Sequence, residues 1–211
     1  MSPIVKSTNL APQTPGRVTG ISKEPVAYLD VFAPGPNYGD GSGVRGDFVG
    51  DSKHHGGANK AVYAYEREEL DYWGSLLGDV FPDGHFGENL TTVDLDLSGL
   101  VLGQRVAVDK AVLEVSVPRT PCRTFAQWLG VQGWARTFSE RGRAGAYFRV
   151  VEPGRISAGS VLELGEAPDH GITMVDAFAA HMGSEEAMRR IVEFNALPEM
   201  YLQRYRARLF G

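Results

Sequence analysis

Cysteine is nearly absent: Cys122 is the only one in 211 residues. No disulfide framework can form within the chain, and the expected setting is the cytoplasm, where thiols stay reduced. Metal-ligand spacings are missing as well, with no C-x-x-C and no H-x-x-x-H. No apolar run reaches the length of a membrane helix, so no membrane partner is expected. The opening MSPIVKSTNLAPQTPG has no apolar core, so no secretory signal is expected either. A positive surplus is also lacking: the net charge is −5, which argues against a surface that coats nucleic acid. Neither a phosphate-loop motif nor a flavin or nicotinamide fingerprint is present.

What remains is an ordinary globular composition, 43% hydrophobic and 22% charged. Residues 1–15 are Pro-rich and polar and read as an extended lead-in. Short β-type runs follow at Arg17–Ile21, Val26–Phe32, Ala61–Tyr65, Gly87–Thr92, Arg105–Val108, Val112–Val117, Ala146–Glu152 and Val161–Leu164, with Gly or Pro in the gaps. In Val112–Val117, Leu113, Val115 and Val117 share one face, as in a strand with one buried side. Two short helices are expected at Arg67–Leu77 and Thr124–Leu129. The first carries Glu68, Glu69 and Asp71 on a solvated face, with Tyr72 and Trp73 inward. The pattern predicts a mostly β, barrel-like domain over 1–166. A three-helix segment follows over 167–211. Thr173 and Asp176 form a capping box there. Val175, Phe178, Ala179 and Met182 recur as an apolar stripe, and Gly183 is placed to end the helix. Ser184 opens the second helix and Pro198 the third, whose Arg204, Arg206 and Arg208 read as solvated.

Three stretches could carry chemistry. In Lys53-His54-His55-Gly56-Gly57, two adjacent histidines cannot point the same way from a strand, so a His-His zinc site is set aside. The glycines could turn backbone N–H groups toward an anion, with Lys53 and Lys60 beside them. A plain turn fits equally well. In Pro118-Arg119-Thr120-Pro121-Cys122-Arg123, the lone thiol follows a strand and precedes a helix between two arginines, a setting that favours a thiolate. A small buried hydrophobe is the alternative. In Gly87-Glu88-Asn89-Leu90, Asn89 could read a heterocyclic edge or simply make a turn.

Taken in order, KHHGGANKAVYAYEREELDYW, FGENLTT, LGQRVAV, VLEVSVPRTPCRTF, GAYFRV and GSVLEL closely resemble the MOSC domain, the molybdenum cofactor sulfurase C-terminal domain. The likeness is to small bacterial stand-alone members with a C-terminal three-helix extension. It departs from that subgroup at Ala58, Glu66 and Arg123. The resemblance implies a molybdenum cofactor, with molybdopterin holding the metal and Cys122 supplying a thiolate ligand. It assigns the anionic part of the cofactor to Lys53, Gly56, Gly57, Lys60, Arg119 and Arg123, with Asn89 nearby. It further implies reduction of N-hydroxylated bases such as 6-N-hydroxylaminopurine to amines, a detoxification. His54 or His55 would then be the proton donor, and a separate reductase would supply electrons. Two other classes stay open: a carrier of cofactor or persulfide sulfur, and a metal-free enzyme built on Cys122.

Overall fold

The computed structural model describes residues 2–211. The strands are β1 (Ile4–Leu10), β2 (Glu24–Val26), β3 (Tyr28–Val31), β4 (Val62–Glu66), β5 (Leu90–Val93), β6 (Arg105–Val108), β7 (Ala111–Pro118), β8 (Ala146–Glu152), β9 (Gly154–Ser157) and β10 (Leu162–Leu164). The helices are α1 (Arg67–Leu77), α2 (Arg123–Leu129), α3 (Trp134–Arg141), α4 (Met174–Met182), α5 (Glu185–Phe194) and α6 (Glu199–Phe210). Eight strands make one mixed sheet in the order β10-β6-β7-β8-β4-β5-β1-β2, parallel only between β4 and β5. β3 and β9 form a separate pair. The large sheet curls until β1 meets the approach to β10. Val5 N–H donates to the Ser160 carbonyl (2.9 Å), Gly159 N–H to Val5 (2.7 Å) and Leu162 N–H to Pro3 (2.9 Å). The ladder does not run continuously around, so the shape is barrel-like and not a closed barrel.

The mostly β expectation holds, and Leu113, Val115 and Val117 of β7 all lie in the core as expected, while Ser116 of the opposite face is buried as well, beside a register shift between Val115 and Val117. Met174, Ala177, Met188, Ile191 and Tyr201 of the last three helices join that same core. The Thr173–Asp176 capping box forms, and Gly183 ends α4 at φ 116. Its stripe is out of phase with the expected one. Met174, Ala177, Phe178 and Ala180 are buried, whereas Val175 and Met182 are exposed.

Other elements differ more. The supposed lead-in contains β1, which lies between β5 and β2. Its Ser7, Thr8 and Asn9 are buried because each finds a partner. Ser7 donates to Asn9 Oδ1, Thr8 to the Val26 carbonyl, and Asn9 Nδ2 to Thr91. Buried polar groups satisfied in this way leave no apolar pattern to read. Arg17–Ile21 is loop, and Val26–Phe32 splits, with Val26 ending β2 and Tyr28 opening β3. Glu69 is buried beneath Arg141 and Arg143, at 2.7 and 2.8 Å, while Tyr72 faces outward under the Arg141 guanidinium. α3 has no counterpart among the expected elements. It completes an aromatic layer of Tyr65, Trp73, Phe86, Phe125, Trp134 and Phe138. Packed largely edge-to-face, these rings bind α1, α2 and α3 to the sheet. Cys122 sits at the rim of this layer.

Candidate functional site

The site is built outward from a cross-strand pair. Tyr63 of β4 faces Tyr147 of β8 in register, with ring centroids 4.9 Å apart. These two tyrosines line a cleft with an empty volume of about 810 Å³, part of it open to solvent. β7 ends at Pro118, and the chain then places Arg119 and Cys122 on the cleft before entering α2. Cys122 is the N-cap residue of α2 and uses no side-chain cap bond, so its sulfur is not engaged by the helix.

Arg119 is only 7% exposed. Its Nη1 donates to the Phe86 carbonyl, and its guanidinium lies 3.8 Å from the Phe125 ring centroid and 5.1 Å from that of Tyr63. Lys60 enters from the other side. Its Nζ donates to the His54 carbonyl at 2.9 Å and lies 4.8 Å from the centre of the Tyr38 ring. Burial lowers the Lys60 pKa to about 8, aided by Arg204 and opposed by Cys122. Among the described residues neither cation has a carboxylate within ion-pair distance. Charges withdrawn from water are ordinarily paired, so the buried Arg119 and the half-buried Lys60 leave the cleft in want of an anion.

Of the residues singled out from sequence, Cys122, His55, Gly56, Lys60, Asn89 and Arg119 meet here. Lys53, His54, Gly57 and Arg123 do not line the cleft. His54 turns its ring outward to Asp51 (2.8 Å), with its side chain 72% exposed. Arg123 and Lys53 are exposed. Gly57 lies beneath the surface, and its N–H is engaged by the Gly41 carbonyl at 2.8 Å. The Asp51–Gly57 stretch is therefore a turn docked against residues 35–41. Side chains, chiefly Lys60 and Arg119, point positive charge into the cleft where a backbone cradle was expected. Asn89 is engaged structurally. Its Oδ1 accepts from Tyr63 N–H (3.2 Å) and its Nδ2 donates to Asn9 (3.3 Å) and Asp47 (3.0 Å). His55 is held neutral at pH 7, its pKa lowered to about 4 by burial and then by Lys60 and Arg119.

Sequence reasoning missed Lys23 and Asp47, which form a buried ion pair at 2.5 Å on the cleft wall. Burial lowers the Lys23 pKa against the pull of Asp47. It also missed the loops carrying Val18–Ile21 and Phe48–Gly50, which face the cleft. Gly20 and Gly50 were the available signal. A Cβ on either would collide with the opposite loop's backbone, so glycine lets the two loops close on each other.

Among the described residues no group of three or more His, Cys, Asp or Glu could hold a metal ion. A metal at Cys122 would have to bring its other ligands with it, as a dithiolene cofactor does. The donor set fits such a group: one soft thiol beside two cations that, among the described residues, have no carboxylate within ion-pair distance.

Comparison with known proteins identifies the family. Residues 51–163 match the MOSC domain model. The chain is 35% identical to the Bacillus subtilis protein YflK, over 87% of this chain and 81% of that one. It is 32% identical to a Gibberella moniliformis protein described as "Reductase", over 64% of this chain and 24% of that one. The crystal structure of YiiM from Geobacillus stearothermophilus superimposes with a TM-score of 0.78 at 29% identity, covering 98% of this chain and 99% of that one. The chain belongs to the MOSC domain family, a molybdenum-cofactor-binding family.

Proposed function

We propose that the chain is a molybdenum-cofactor-dependent reductase of N-hydroxylated compounds, of the 6-N-hydroxylaminopurine kind, serving detoxification. The observation that carries this reading is the pair of cleft cations beside the only thiol, Arg119 and Lys60, neither of which has a carboxylate within ion-pair distance among the described residues. A cofactor with an anionic side chain and an anionic metal centre answers both needs. Cys122 would ligate the metal, and Arg119 and Lys60 would hold negative charge. The family's reductase-described relative supports an oxidoreductase.

Once bound, the cofactor would supply two-electron chemistry at an N–O bond. The overall change is R–NHOH plus two electrons and two protons to R–NH2 plus water. The electrons require a separate donor protein, since the chain carries no flavin or nicotinamide motif. The chain's own residues bind, orient and supply protons. His55, neutral at pH 7, is a poor acid. Lys60, with its pKa near 8, is still protonated at pH 7 and can give up a proton at low cost. It replaces the histidines as our proton donor. Val18, Ile21 and Phe48 give the cleft an apolar wall suited to a flat heterocycle.

The test is molybdenum per polypeptide, for wild type and Cys122→Ala purified from a host that makes the cofactor. Near-stoichiometric metal, lost in the variant, is expected, followed by reduction of N-hydroxylated purine when an electron donor is added. A loaded protein that leaves N-hydroxylated purines and amidoximes untouched would overturn the reductase reading. Absence of molybdenum, under conditions that load a control enzyme, would overturn the cofactor reading too.

A further inference from the structure

Glu88 does not line the cleft, yet it holds the turn that does. Its carboxylate is fully buried. Oε1 accepts from Gly84 N–H (2.6 Å) and Thr91 Oγ1 (3.1 Å), while Oε2 accepts from Phe86 N–H (3.0 Å). Two main-chain donors of one turn thus converge on one side chain. The turn is further closed by Gly87 N–H to the Gly84 carbonyl at 3.0 Å. Its two outward carbonyls both reach the cysteine's surroundings. Phe86 O accepts from Arg119 Nη1, and His85 O accepts from Trp128 Nε1 at 3.0 Å. Arg119 lies three residues before Cys122. Trp128 lies on α2, which begins immediately after it. The Phe86 ring also packs edge-on against Phe125 of that helix, 5.0 Å between centroids.

We propose that Glu88 is a positioning residue for the Cys122 site: its carboxylate sets the Gly84–Gly87 turn, and the turn sets the Arg119 guanidinium and α2 together. A group that merely filled space here would be better as an apolar side chain, since burying a carboxylate is costly. Burial indeed raises the Glu88 pKa to about 7, against the pull of its own bound N–H groups and of Arg119. Lys23 and Tyr63 are the other ionisable groups that feel its charge.

This assignment rests on the Cys122 cleft being the active site, but its test needs neither cofactor nor turnover. In the cofactor-free 211-residue chain, Cys122 is the sole cysteine, so iodoacetamide reports on it alone. Two quantities are read: the alkylation rate, and the apparent Kd of inorganic phosphate from its protection of the thiol. The variants are Glu88→Gln, Glu88→Asp and Trp128→Phe.

Positioning predicts alkylation at least threefold slower in both Glu88 variants. It also predicts phosphate binding at least tenfold weaker in both, because Asp is one methylene too short to reach both N–H groups. Trp128→Phe should weaken phosphate about threefold alone and add nothing in the Glu88→Gln background. A role for charge alone predicts the opposite. Glu88→Asp would match wild type, and Glu88→Gln would bind phosphate more tightly, having lost a negative charge near Arg119. Either result overturns the proposal. Should circular dichroism show that the Glu88 variants do not fold, Trp128→Phe decides, since Trp128 is 40% exposed. Wild-type alkylation and phosphate affinity in that variant would overturn the proposal. Failure of phosphate to protect even the wild type would count against the anion cleft, and the alkylation rates would still decide the role of Glu88.

Discussion

At the residue scale, function and stability pull Arg119 in opposite directions. A buried guanidinium that has no carboxylate within ion-pair distance among the described residues carries a desolvation cost in the folded state, yet it is what makes the cleft attractive to an anion. Arg119→Met should therefore keep or raise the melting temperature while molybdenum retention falls at least tenfold, read by thermal denaturation and metal analysis of the same samples. A melting temperature lowered by 10 °C or more would mean that Arg119 is chiefly structural. Lys60 supports a second prediction. If its ammonium is the acid, the reductase rate should fall as pH rises through about 8, where the folded-state amine loses its proton. Lys60→Arg should move that limb upward beyond the measurable range, because a guanidinium does not titrate there. An unchanged limb in Lys60→Arg would assign the proton to another group. The chemical types at these positions were legible in the sequence. Which side chains face the cleft was not, because His54 and His55 differ by one residue and point apart.

At the element scale, the turn at Gly56 and Gly57 matters through its backbone: Gly56 lines the cleft and Gly57 lies beneath it. Both residues have positive φ, 81° and 76°, and a Cβ on Gly57 would fall on the Asn37 carbonyl oxygen. Gly57→Ala should thus lose stability both from backbone strain and from collision, on the order of 2–4 kcal/mol. Gly130→Ala is the control. It has φ 64° and no atom within 4 Å of the new methyl, so only the strain remains, about 1 kcal/mol. Equal costs in chemical denaturation would show that the Gly57 contact has no energetic weight. Elements written in local chemistry were readable in advance: the α4 capping box, the Gly183 stop and the alternating face of β7 depend on a few adjacent residues. β1 and α3 were not. β1 is buried through polar bonds to strands 18 and more than 80 residues away, and α3 is recruited by an aromatic layer assembled from distant segments. Both are tertiary facts, and local pattern cannot contain them.

At the scale of the whole molecule, the buried titratable groups set how stability responds to pH. Burial raises Glu66 and Glu88 to about 7 from an ordinary 4.5. Their folded forms hold protons more tightly than the unfolded chain does. Their contribution is complete below pH 4.5 and is lost as pH rises through about 7. His55 and His181 run the other way, lowered to about 4 from 6.5, first by burial and then by nearby Lys60. Their contribution is complete above pH 6.5 and is lost as pH falls through about 4. Between roughly pH 4.5 and 6.5 two groups of each kind oppose one another, so wild-type stability should change little there. Removing the histidines exposes the glutamates. The variant carrying His55→Gln and His181→Gln should gain on the order of 2–4 kcal/mol between pH 7 and pH 5. Removing Glu88 should do the reverse, so that Glu88→Gln loses stability steadily on acidification over the same interval. Urea denaturation at half-unit steps of pH reads both slopes. Parallel curves for the three proteins would mean that these buried groups relax or hydrate on titration, and that the polar interior around the cleft is softer than its hydrogen bonds suggest.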